Sequence, residues 1–295
     1  MNTVRTSHSP LWLPIGLLLI AMASIQLGAS LAKSLFPAVG AAGATALRLG
    51  FATVLLAVAF RPWRMRIERA QWPPLLVYGA ALGLMNLLFY KALETIPLGI
   101  AISLEFTGPL AVALFGSRRL RDVGWVALAV AGLLLLLPKG QGQALDPLGM
   151  AYALGAGLCW ALYILFGQKA GAEHGPQTVA LGSIIAAVVA VPFGVAHAGA
   201  DLLSPALVPV ALGVALLSTA IPYSLEMVAL TRLPTRTFGM LMSLEPAFGA
   251  MSGLVFLHEQ LTGQQWLAIG AIILASAGTA MTARTAVHEP GAGEG

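Results

Sequence analysis

Apolar positions in this chain gather into long unbroken blocks, and polar positions collect in the short gaps between them. The blocks lie near 12–32, 39–60, 72–93, 97–115, 122–137, 148–167, 178–197, 207–229, 236–257 and 264–282. Each is close to the roughly 20 residues that a helix needs to cross a bilayer core of about 30 Å. Only helices and closed barrels satisfy their backbones where water is absent. The pattern therefore predicts an all-α membrane protein of ten transmembrane helices, with a first five-helix half over 12–137 and a second over 148–282. Residues 1–11 are expected to form an N-terminal tail, and 283–295, rich in Gly and Glu, a disordered C-terminal one.

Charge orients this bundle. Twelve cations fall on one side of the predicted spans: Arg5, Arg61, Arg64, Arg66, Arg69, Arg118, Arg119, Arg121, Lys169, Arg232, Arg236 and Arg284. Three, Lys33, Lys91 and Lys139, fall on the other, and Arg48 lies within the second span. Cytoplasmic loops carry the excess of Lys and Arg, so both termini are expected in the cytoplasm of a multi-pass protein of the bacterial inner membrane. The net charge of +4 and pI near 9.5 would suit a nucleic-acid partner, but cations parked at span ends are topology signals. Composition agrees with a membrane setting, at 58% hydrophobic and 9% charged with a mean hydropathy of +0.85. Arg5 followed by the apolar 11–27 also fits a secretory signal, yet another span follows, and we read it as an uncleaved first helix. The single cysteine, Cys159, lies inside an apolar run, where its default role is packing.

One stretch occurs twice. In 90–119 and again in 227–258, Ala-Leu is followed by a proline (Pro97, Pro234), an apolar run with one Ser-Leu-Glu, and a second proline (Pro109, Pro246). The prolines are 137 residues apart in both cases (234 − 97 and 246 − 109), and the triplets ending in Glu105 and Glu245 are 140 apart. Three residues is nearly one helical turn, so both carboxylates fall on about the same face of matching helices. Lys33 and Lys169, 136 apart, and Trp125 and Trp266, 141 apart, echo the register. Five spans per half is an odd number, so the second half enters the membrane with opposite polarity. That arrangement is an inverted-topology repeat, an architecture of secondary transporters.

Within this frame a few residues carry chemistry. Glu105 and Glu245 each cost about 2.5–3.5 kcal/mol at the bilayer centre on insertion scales, so they must be paired, wet or protonated. Such a carboxylate carries a proton, pairs with a substrate ammonium, or is locked to an arginine for structure. Arg48 is the counter-charge, and its guanidinium suits a substrate carboxylate or one of the glutamates. Pro109 withholds the N–H that would bond the Glu105 carbonyl, so a kink is expected there and at Pro246. Asn86, Tyr90, Tyr163 and Tyr223 complete the candidate substrate site, while Gln26, Ser30, Trp160 and Ser243 add polarity. Lys33 and Lys169 read as snorkelling side chains, and Glu226 as a partner of Arg232. The chain holds no Walker-type phosphate loop, no metal-ligand cluster and no serine-hydrolase elbow, so no enzyme, metal or cofactor is expected.

The run SLEPAFGAMSGLVFLHEQLTGQQWLAIGAIILASAG, with Glu245-Pro246, Glu259 and a glycine-rich last span, resembles the EamA-type branch of the drug/metabolite transporter superfamily. The stretches at 23–37, 97–115, 167–176 and 221–239 resemble its amino-acid exporters, and the likeness covers about residues 10–282. The first half departs from the pattern, with Gly108-Pro109 where the second has Glu245-Pro246, and Arg121-Asp122 where it has His258-Glu259. The resemblance implies export of threonine and homoserine from the cytoplasm, driven by proton antiport. Export of another metabolite or a cationic drug is the alternative it leaves open.

Overall fold

The computed structural model describes residues 12–64, 67–115, 120–136, 145–174, 177–232 and 241–282. Both expected tails, Lys139 and the start of the 236–257 span lie outside them. The described helices are α1 (Trp12–Lys33), α2 (Phe36–Phe60), α3 (Trp72–Ala92), α4 (Leu98–Glu105), α5 (Thr107–Phe115), α6 (Leu120–Leu136), α7 (Pro147–His174) and α8 (Gln177–Ala198). They continue with α9 (Val208–Ala215), α10 (Ile221–Arg232), α11 (Glu245–Phe256) and α12 (Gly263–Thr282), and a π turn over Leu216–Ala220 joins α9 to α10.

Among the described residues, six stretches are long and apolar enough to cross a membrane: Leu13–Lys33, Phe36–Phe60, Arg69–Ala92, Pro147–Gly167, Gln177–Leu203 and Pro205–Glu226. Shorter apolar helices accompany them. Burial is inverted relative to a water-soluble protein, since Val54, Val58, Leu158 and Val188 are more than 60% exposed while Arg48, Asn86, Glu105 and Glu245 are buried. An apolar exterior around a core that holds its few charged and polar side chains inside is what a hydrocarbon solvent selects. The protein is an all-helical, multi-pass membrane protein.

Lipid supplies little drive for helices to associate, so small residues that let backbones approach do much of the work. A methyl added at Gly83 would stand 2.7 Å from the Ala186 carbonyl oxygen, and one at Gly79 2.5 Å from Ile185 Cβ, which puts α3 flush against α8. Gly194 brings α8 equally close to Ala42 and Ala46 of α2. Gly108 of α5 rests on the backbone of Gly157 in α7, and a methyl on Gly157 would lie 2.6 Å from the Glu105 carbonyl oxygen. The carbonyl left free by Pro109 thus faces α7. Gly108→Ala is expected to lower the thermal unfolding midpoint in detergent by several degrees, since overpacking costs about 1–3 kcal/mol. An unchanged melt would contradict this close approach.

The helices are interrupted just ahead of both prolines, where the sequence placed kinks. Pro109 lies in the first turn of α5 and Pro246 is the second residue of α11, where a missing N–H costs nothing. The span expected at 97–115 is instead two half-helices parted at Phe106, and a break at Ser243 and Leu244 precedes α11. Each acidic residue sits at such a break, Glu105 as the last residue of α4 and Glu245 as the first of α11.

Contacts fix which helix ends share a side of the bundle. Lys33 pairs with Glu259, Ala41 N–H donates to Glu94 Oε1 at 2.9 Å, and the side chain of Gln264 donates to the Leu135 carbonyl. Gly40 unwinds the start of α2 at φ 64°, where a side chain would collide with His197. Asp146 caps α7 at this same end. Its hydrogen bonds, to the Thr95 side chain first and to the N–H groups of Gly149 and Leu148, hold its carboxyl below the ordinary range. At the opposite end, Glu68, Gln71 and Lys169 line a small cavity of ≈ 160 Å³.

Candidate functional site

Arg48, on α2, is 5% exposed and reaches the π turn. A π turn spaces its hydrogen bonds i→i+5 and leaves carbonyls turned aside from the regular ladder. Nη2 of Arg48 donates to the Ser218 carbonyl at 2.9 Å and Nε to Thr219 Oγ1 at 3.0 Å. Ser24 Oγ of α1 serves a neighbouring carbonyl, that of Leu217, at 2.7 Å. The guanidinium carbon lies 5.2 Å from the ring centroid of Tyr90, which is fully buried on α3. Two of the five guanidinium N–H groups are thus committed to the turn, and the cation rests on a π face.

Glu105 and Glu245 are 7% and 6% exposed. Arg48 stands within electrostatic reach of Glu105 and of the Tyr90 and Tyr223 hydroxyls. Glu245 in turn lies within electrostatic reach of Glu226 and Glu105. Its Oε2 is buried and has no hydrogen-bond partner among the described residues. The surroundings of the two acids differ, because a helix N-terminus favours an anion and a C-terminus does not. Glu245 begins a helix, whereas Glu105 ends one and has Arg48 nearby.

Tyrosines complete the cluster. The Tyr223 hydroxyl lies close to the Asn86 side chain, and Asn86 Nδ2 donates to the Leu82 carbonyl at 2.7 Å. Tyr163 stacks on Tyr78 with centroids 5.0 Å apart and stands in electrostatic reach of Tyr223 and Glu226. The seven residues singled out in the sequence thus share one neighbourhood, in which Arg48, Asn86, Tyr90, Glu105 and Glu245 are buried and Tyr163 and Tyr223 half-buried. Among the described residues, no group of three or more His, Cys, Asp or Glu is placed to hold a metal ion.

A second polar group lies nearer the Lys33 end. Ser30 Oγ and Ser252 Oγ are 2.9 Å apart, and both donate to the Gln26 carbonyl. Lys33 Nζ lies 2.8 Å from Glu259 Oε1, so it is an ion-pair partner and not the free snorkelling cation expected.

A buried cation and two buried acids at helix breaks can receive a small zwitterion, and known proteins sharpen that reading. The profile of the EamA-like transporter family matches residues 147–281. The threonine/homoserine exporter RhtA of Escherichia coli K12 is 63% identical over 276 residues, 93% of this chain and 94% of its own. That of Salmonella typhimurium LT2 is 62% identical over 280 residues, 95% of each. The chain belongs to the EamA-like transporter family. A crystal structure 20% identical to this EamA-like transporter covers 94% of it and 99% of its own chain with a TM-score of 0.59, a likeness of fold.

The profile match takes in Tyr163, Tyr223 and Glu245 of the transporter, while Arg48, Asn86, Tyr90 and Glu105 precede it. Sequence reasoning missed Ser218, Thr219 and Tyr78. The adjacent Ser218-Thr219 inside an apolar run was a usable signal for the first two. Glu226 lies within electrostatic reach of Glu245; the side chain of Arg232, its expected partner, lies outside the described residues.

Proposed function

We propose that this chain exports threonine and homoserine from the cytoplasm across the bacterial inner membrane by proton antiport, with both termini cytoplasmic. The observation that carries the substrate is its likeness, along nearly the whole chain, to exporters named for those two amino acids. In this reading ten crossings form two inverted five-helix halves, 12–137 and 148–282. The packing supports it: α1 lies on α9, the π turn and α10 much as α7 lies on α3, and α1 meets α11 as α7 meets α4 and α5. Three further pairs, α2 with α8, α4 with α11 and α6 with α12, are in this reading each a helix against its own counterpart.

The substrate carboxylate is received by Arg48, over Tyr90, and the ammonium by Glu105 or Glu245, with Asn86, Tyr163 and Tyr223 shaping the pocket. When substrate leaves, a proton takes its place on one glutamate, and alternating access couples the two movements. The test is uptake of labelled threonine by inside-out vesicles with and without an acid interior. Uptake that the gradient stimulates and excess homoserine suppresses is the expected result. Folded, inserted protein that takes up no threonine would overturn the substrate assignment.

A further inference from the structure

We propose that Lys33 and Glu259 form the outer gate latch of the transport path, a pair of positioning residues that hold α1, α4 and α11 together when the path is shut to the outside. Glu259 is the hub. Its Oε1 takes the Lys33 ammonium at 2.8 Å, and its Oε2 takes the Leu98 N–H, also at 2.8 Å. Leu98 opens α4 directly after Pro97, so this N–H is an end group with no helical acceptor. His258 adopts a left-handed backbone, φ 54°, and the Glu259 N–H returns to the Gly253 carbonyl at 3.0 Å, which turns the carboxylate back over the bundle. A methyl on Gly253 would collide with that carboxylate, so the glycine keeps its seat open.

What the latch ties together gives it a role in the cycle. α4 ends at Glu105 and α11 begins at Glu245, so both half-helices that bear the buried acids are clamped at their outer ends by one side chain. Beside the clamp, a groove of ≈ 480 Å³ between α1 and α11 is lined by Ser30, Lys33, Ser34 and Phe256, among others. Ser30 there contacts Ser252 across the seam. Parting α1 from α4 and α11 breaks the Lys33–Glu259 pair and opens this seam toward the acids. The pair is partly exposed, at 24% and 14% of its side chains, so water can replace it when it opens.

This inference rests on the alternating-access reading, and its test needs no substrate, so a wrong substrate would leave it standing. In a Cys159→Ser background, Ser30→Cys is labelled from outside intact cells with a membrane-impermeant thiol reagent. Lys33→Met and Glu259→Gln are each expected to raise the labelling rate about fivefold, by shifting the population toward the outward-open state. Lys33→Arg, which keeps the pair, is expected to label like the parent. Equal labelling in Lys33→Met, Lys33→Arg and the parent, at matched protein levels, would overturn the proposal. So would a rise in Lys33→Arg as large as that in Lys33→Met.

Discussion

Inside-out vesicles carrying Arg48→Lys are expected to take up threonine about a hundredfold more slowly than the parent at low substrate concentration. The charge survives this change but the fork does not. Nε and Nη2 of Arg48 hold the Thr219 hydroxyl and the Ser218 carbonyl on the π turn. A lysine ammonium is one compact point and cannot serve that edge and a bidentate substrate carboxylate together. Hydrogen bonds to charged groups are worth about 1.5–3 kcal/mol, and each 1.4 kcal/mol is tenfold, so loss of one such pairing accounts for the size of the effect. Uptake within a factor of about two of the parent, at equal protein level, would remove the arginine from the binding role.

Glu245→Gln is expected to abolish stimulation by the acid gradient, bringing the ratio of uptake with and without the gradient close to unity. The ratio is the useful quantity because it cancels differences in basal rate. Glu245 Oε2 is buried without a hydrogen-bond partner among the described residues, so its charge has no evident structural task. It lies in the field of Glu105 and Glu226, and three acids sharing one buried region cannot all stay charged cheaply. Glu105→Gln is the companion variant. Should the ratio stay at the parent value in both, proton coupling through these acids is wrong.

The long apolar helices were legible because a bilayer imposes a length on apolar runs. The helix breaks were half legible. Pro109 and Pro246 marked the places, but whether a proline kinks a helix or starts a new one depends on what lies across from it. Here Gly157 takes the freed Glu105 carbonyl close to its own backbone. The π turn itself was illegible, since Ser218 and Thr219 inside an apolar run mark a polar spot and not a change of helical pitch. Partners distant in sequence were illegible altogether: 171 residues separate Arg48 from Thr219, and 226 separate Lys33 from Glu259. The site residues themselves were readable because polar groups in an apolar run are costly, and the cost had to be offset by chemistry or pairing.

The close fit of α4 on α11 has a consequence for how charge moves. A methyl at Gly99 would stand 2.6 Å from the Ala250 Cα, and one at Gly249 would collide with Ile102, so the two half-helices touch nearly backbone to backbone. Bodies joined in this way shift together. In the proposed alternating-access cycle, Glu105 and Glu245 at the inner ends of that joined pair would keep their spacing, while Arg48 rides on a different helix. On that reading the two acids act as one electrode of fixed geometry, and the cation is the part whose distance to it changes.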